Sequence, residues 1–235
     1  MPAHLQITRP AAKLGSVDDM TRFRAAAVVW AAAGPDAPEA GAVARSLAAA
    51  VGLRATVLVE GASDRAAFEA LVARRGRDLD AERICVVPLG GATSIGRFLA
   101  LLGPPGLGLR VAGLCDVGEE GYFQRSLERA GLGSDLTRTT TEALGFFVCV
   151  ADLEDELIRA LSPAVVEQVI DAQGDLRAFR TFQKQPAQRD RAVELQLRRF
   201  MGTLSGRKIH YGQALVDALD LALVPQPLDR LLAHV

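Results

Sequence analysis

Short apolar runs that stop at a carboxylate or a glycine pair, each followed by a helical stretch, recur through the middle of this chain. Residues 55–60 read ATVLVE, a β-branched run ending at Glu60 and Gly61, and DRAAFEALVARRG follows with helical texture. Residues 84–88 stop before Gly90-Gly91 and precede a helix over 94–102. Residues 111–115 run into Asp116, with a helix over 121–130, and residues 146–150 stop before Asp152, which opens another helix. Short runs bounded by turn residues read as buried strands. Strands alternating with helices imply a mainly parallel sheet with right-handed crossovers, and such sheets bind ligands beyond the carboxyl ends of their strands. Glu60, Gly90-Gly91, Asp116 and the acids of 152–156 are therefore expected along one edge of an α/β fold.

The flanks are helical. Residues 1–17 carry Pro2 and Pro10 without a clear period, which predicts a loose tail. Asp18-Asp19 caps a helix through Trp30, Gly34-Pro35 ends it, and an Ala-rich helix spans 37–51. Beyond Ser162-Pro163 come helices over 163–174 and 176–185, and a third in RDRAVELQLRRFMG with Val193, Leu197 and Phe200 on one stripe. SGRKIHYG reads as a basic turn leading into a helix over 213–221, and Pro225-Gln-Pro227 introduces a terminal helix, LDRLLAHV. The expected division is a helical N-terminal extension (1–53), an α/β core (54–161) and a helical C-terminal region (162–235).

With 49% hydrophobic and 23% charged residues the composition is globular, and a net charge of −1 argues against a surface coated in positive charge. Any nucleic-acid binding must rest on a local patch. Cys85, Cys115 and Cys149 lie in apolar runs without metal-ligand spacing, so buried free thiols are expected. No stretch approaches about 20 uninterrupted apolar residues, and Asp18, Asp19, Arg22 and Arg24 stand where a signal peptide needs an apolar segment. The expectation is a cytoplasmic protein without membrane association.

Carboxylates at the ends of several parallel strands can hold Mg²⁺, which takes hard oxygen ligands and leaves positions for water and substrate phosphate. Each acid also has a plainer role. Asp64 fits a first-turn helix acid, Asp116 a turn residue, and Asp152 with Glu154 an acidic helix start that complements the helix dipole. Arg207-Lys208 fits a solvated basic turn, His210 a surface or packing residue, and Gly90-Gly91 a turn whose amides could also approach phosphate.

Taken in order, VLVEGASDRAAFEAL, VPLGGATSIGRFL, VAGLCD and DLEDELIRAL resemble the TOPRIM domain, and more narrowly its version in the OLD (overcoming lysogenization defect) endonucleases. The resemblance implies that Glu60 lies near the metal and the reacting phosphate, and that Asp64 and Asp116 ligate Mg²⁺ or Mn²⁺. It puts Glu154, with Asp152, in a second metal cluster. It also makes Lys208, with Arg207 as rival, the cation near the scissile phosphate. TOPRIM domains carry Asp-x-Asp at the third strand, whereas this chain has Asp116-Val117-Gly118; Glu119 or Glu120 is the expected replacement. No G-x-x-x-x-G-K-[ST] segment is present, so an ATPase activity is not implied. The activity implied is metal-dependent nucleic-acid cleavage, of DNA in the first instance. The alternative is a TOPRIM-derived binding or regulatory subunit acting with a separate ATPase, and either reading is compatible with a homodimer. Topoisomerase chemistry ranks lower, because it needs a nucleophilic tyrosine and only Tyr122 and Tyr211 exist.

Overall fold

The computed structural model describes residues 13–203 and 205–235. Four strands, β1 (Ala55–Val59), β2 (Ile84–Pro88), β3 (Arg110–Asp116) and β4 (Phe146–Cys149), form one parallel sheet in the order β2-β1-β3-β4. Helix α3 (Ala62–Arg74) crosses from β1 to β2, and α4 (Ile95–Leu102) leads from β2 back to β3 on the far side of β1. The chain reverses its winding at β1. That creates a crevice between the carboxyl ends of β1 and β3, the place where open α/β sheets bind ligands.

The period-2 alternation of each strand sorts its side chains onto two faces, and each face has its own core. On one face Val57, Val59, Val86, Leu114, Phe147 and Cys149 pack under α3 and a helical layer made by the C-terminal half. This layer comprises α7 (Leu153–Leu161), α8 (Pro163–Ala172), α9 (Leu176–Gln183), α10 (Val193–Met201), α11 (Ser205–Ala218) and α12 (Gln226–His234). On the other face Leu58, Cys85, Val87, Cys115, Phe146 and Val148 pack under α1 (Lys13–Ala31), α2 (Ala37–Val51), α4 and α5 (Glu120–Arg129). Each fully buried Leu or Phe contributes about 1.5–3 kcal/mol relative to exposure, so the terminal helices supply much of what holds both faces.

The strands and the helix over 37–51 lie where the sequence places them. Two local expectations change. Helix α1 begins at Lys13, so Asp18-Asp19 lies inside it rather than capping it, and residues 13–17 belong to a helix rather than a tail; residues 1–12 lie outside the described residues. SGRKIHYG is not a turn but the first half of α11. A short helix, α6 (Arg138–Ala143), is capped by Thr137, whose side chain accepts from the Thr140 N–H. The three cysteines are free and buried, and burial pushes the Cys85 thiol up to about 11 and Cys115 to about 12, which keeps them unreactive. Among the described residues no helix is long and apolar enough to cross a membrane.

Candidate metal centre

Glu60 follows β1, Asp116 ends β3, and Glu119 lies in the single 3₁₀ turn that connects β3 to α5. Each offers one carboxylate oxygen, and the three oxygens lie within 4.8 Å of one another. Parallel pairing of Leu58 with Gly113 sets the ends of β1 and β3 side by side, so the crevice brings together residues separated by more than fifty positions.

The electrostatics of this group are those of crowded acids with little compensation. Burial, then repulsion and a shared proton with Glu60, and then repulsion from Asp152 and Asp64, raise the Asp116 carboxyl to about 8. Glu119 is raised by burial and by Glu60, and its Oε2 is buried with no hydrogen-bond partner among the described residues. Closely spaced acids of this kind, with an unused buried oxygen, suit a hard divalent cation that would supply the missing positive charge. Glu120 takes another path. Its carboxylate is paired with Arg138, which holds its pKa below the ordinary value, and it does not join the group.

A second set of acids lies beside the first, and cations hold most of it. Asp64, third residue of α3, accepts the Gly61 N–H through Oδ2 at 2.7 Å, so it closes the start of its helix as well as facing the crevice. Burial and the Glu154 charge raise its carboxyl to about 7. Asp152 caps α7 by accepting the Asp155 N–H at 2.8 Å through Oδ1, while Oδ2 accepts from Arg198 Nε at 2.6 Å. Glu154, buried in the first turn of α7, is paired with Lys208 Nζ at 3.1 Å. Burial disfavours the Lys208 charge, but Glu154, Asp64 and Asp152 overcome that penalty and hold its pKa above the ordinary lysine value. Arg207, by contrast, faces Asp175 at 3.3 Å and stacks over Phe200.

Lys208 reaches this position because α11 lies unusually close to the start of α3. A Cβ at Gly212 would sit 2.6 Å from the Ser63 carbonyl oxygen, so only glycine permits the approach. Gly212 stands one helical turn after Lys208 and on the same side of α11. The sequence reading missed both this contact and Arg198; the small residue four positions after a basic one is the only local signal for the first, and nothing local announces the second. Gly90-Gly91 has both φ angles positive, and Gly90 N–H is bonded to the Glu60 carbonyl at 3.0 Å, so this turn braces the residue that carries the first carboxylate. His210 is exposed on α11 with its Nε2 2.6 Å from Gln173 Oε1, and Tyr211 is buried with its hydroxyl donating to Asp175 at 3.0 Å.

Comparison with known proteins accords with this arrangement. Residues 53–117 match the family model described as overcoming lysogenization defect protein-like, TOPRIM domain, a segment that contains Glu60, Asp64 and Asp116. The fold is similar to the C-terminal region of the Burkholderia pseudomallei OLD protein, with a TM-score of 0.61 at 21% identity over 77% of this chain and 96% of that one. It is also similar to the C-terminal region of the Xanthomonas campestris pv. campestris OLD protein, with a TM-score of 0.60 at 25% identity over 78% and 92% of the two chains. No curated protein matches the sequence. Residues 53–117 are therefore an OLD-like TOPRIM domain, set in the fold of the C-terminal region of OLD proteins.

Proposed function

We propose that the chain is a Mg²⁺- or Mn²⁺-dependent phosphodiester hydrolase acting on DNA, with Glu60, Asp116 and Glu119 holding the first cation. The observation that carries this reading is the convergence of three carboxylate oxygens from separate elements within 4.8 Å at the switch point of a TOPRIM sheet. Asp64 and Glu154, with Asp152 behind them, form the second acidic group. A bound divalent cation supplies Lewis-acid stabilisation of phosphate charge and lowers the pKa of a ligated water.

The protein's own groups have distinct tasks in this scheme. Glu60, between the two acidic groups, interacts with both Asp116 and Asp64, so it can hold a cation and accept a proton at the same carboxylate. Lys208 brings a fixed positive charge next to the acids and can offset charge developing on a phosphate oxygen. Arg198 keeps Asp152 and the start of α7 in register with the site. Gly118, where TOPRIM domains carry a second aspartate, leaves that place to Glu119.

Incubation of purified protein with supercoiled plasmid and Mg²⁺ or Mn²⁺, beside Glu60→Gln, tests the reading. Metal-dependent nicking that disappears in the variant is expected. Equal residual nicking in both proteins would exclude hydrolysis at this site and leave a binding or regulatory module.

A further inference from the structure

We propose that the cleft lined by Arg191, Arg199 and Lys208 is the track along which the phosphodiester backbone enters the acidic centre, an inference that rests on the hydrolase reading above. The chain as a whole has a net charge of −1, yet residues 181–208 contain seven Lys or Arg and only Asp190 and Glu194 as acids. Folding concentrates this bias. A cleft of about 640 Å³ opens directly from Asp152 and Glu154, and Arg191, Arg198, Arg199 and Lys208 line it, with Phe182 and Leu195 adding apolar wall.

The cations of this cleft differ in what they do. Arg198 and Lys208 are committed to Asp152 and Glu154, so they join the cleft to the acids. Arg191 and Arg199 are exposed, and neither has a carboxylate partner among the described residues; the Arg191 Nε bonds only to the Ala187 carbonyl of its own turn. A second hollow, lined by Arg177 and Arg207, meets the first at Phe182 and Thr203 and continues the positive surface away from the centre. Free guanidinium groups in a concave surface that ends at a phosphate-processing site match the spaced negative charges of a nucleic-acid strand. An acidic protein segment would meet the same charges, but it would have no reason to end at a cluster of acids that repels it. A phosphodiester chain does, because on the hydrolase reading its scissile bond must reach those acids, whereas a protein segment has no group there to be cut.

The test measures equilibrium binding of labelled duplex and single-stranded oligonucleotides of mixed sequence, in EDTA and in Mg²⁺, across a salt series. It compares wild type with the double variant Arg191→Ala/Arg199→Ala and with Arg45→Ala/Arg129→Ala, an equal charge change at exposed residues outside the cleft. Removing two phosphate contacts should make the slope of log K against log salt shallower by about 1.8 on duplex, or about 1.4 on single strands. The cleft variant should also raise KM for cleavage while keeping kcat, and the control pair should resemble wild type. Equal slopes and affinities for the two double variants would overturn the track, as would competition by polyglutamate as effective as by unlabelled oligonucleotide. Loss of binding in the cleft variant together with cleavage that ignores Glu60→Gln would keep the track and remove the hydrolase reading instead.

Discussion

The two acidic groups at the carboxyl edge of the sheet are built from the same residue types yet differ in how their charge is met. Asp152 and Glu154 are each paired with a cation, Arg198 and Lys208; Asp152 caps α7 and Glu154 sits in its first turn, where the helix dipole favours negative charge. Glu60, Asp116 and Glu119 have no such cation among the described residues, and burial with repulsion from Glu60 pushes the Asp116 carboxyl up to about 8. The comparison separates acids that organise the fold from acids whose negative charge awaits an external cation. A carboxylate's neighbours, rather than its identity or its position in a motif, decide which it is.

The sharpest way to break this distinction is to neutralise each group in turn. Asp116→Asn or Glu60→Gln should lower metal-dependent nicking by on the order of 10²–10³-fold or more, since a preorganised charge at the reacting phosphate is lost. Glu119→Gln should follow closely. Glu120→Gln should retain wild-type activity and lose at most about 1 kcal/mol of stability, because the Arg138 it pairs with is half exposed to solvent. Identical behaviour of the Glu119 and Glu120 variants in a nicking titration would erase the separation drawn between them.

A pH series distinguishes the groups without any substrate. The Asp64 and Asp116 carboxyls are raised to about 7 and about 8, so between the ordinary carboxylate range and pH 8 the folded protein holds more protons than the unfolded chain. Stability in EDTA should therefore fall as pH rises from about 4 to about 8. Millimolar Mg²⁺ should offset that fall at the alkaline end, because it binds the deprotonated, folded form. Asp116→Asn should flatten the profile in EDTA and reduce the gain from Mg²⁺. A melting temperature in EDTA that climbs steadily from pH 5 to pH 8 would contradict the raised carboxyls.

Smaller effects probe the cation-paired group. Lys208→Ala leaves buried Glu154 without its partner and should cost about 1–2 kcal/mol in chemical denaturation, a figure kept below that of a fully buried pair because Lys208 is 41% exposed. Gly212→Ala forces α11 away from the Ser63 carbonyl and should cost about 1–3 kcal/mol. It should also weaken nicking, although the residue touches no acid. A Gly212→Ala protein with wild-type stability and activity would show that the close approach of α11 to α3 does not position Lys208. The smallest effect is expected at Gly118, where a Cβ meets nothing within 4 Å. Gly118→Asp should fold normally and tighten Mg²⁺ binding by a few-fold in a thermal-shift titration. No change in metal affinity would mean that Glu119 already fills that place.

Local chemistry carried the sheet and the positions of its acids. Four apolar runs, each ended by an acid, glycine or proline, were enough to place every strand to within about one residue, because strand burial and turn composition depend on neighbouring residues. Once strands alternate with helices, the parallel order and the binding edge follow from general rules of chain winding, so Glu60, Asp116 and the acids of 152–156 could be assigned to one edge from the strand ends, while Asp64 entered through the family resemblance. The start of α1 and the helical state of SGRKIHYG were not legible, since glycines and polar residues mark a turn locally, while α11 is stabilised by packing on α3. Tertiary structure also separated Glu119, whose carboxylate lies beside those of Glu60 and Asp116, from Glu120, which turns to Arg138, because adjacent residues at a helix start point about 100° apart. It paired Arg198 with Asp152 across 46 positions, and it put Gly212 against Ser63. Such partners are fixed by how helices pack around a core, and no window of sequence short enough to read by period or composition contains both members.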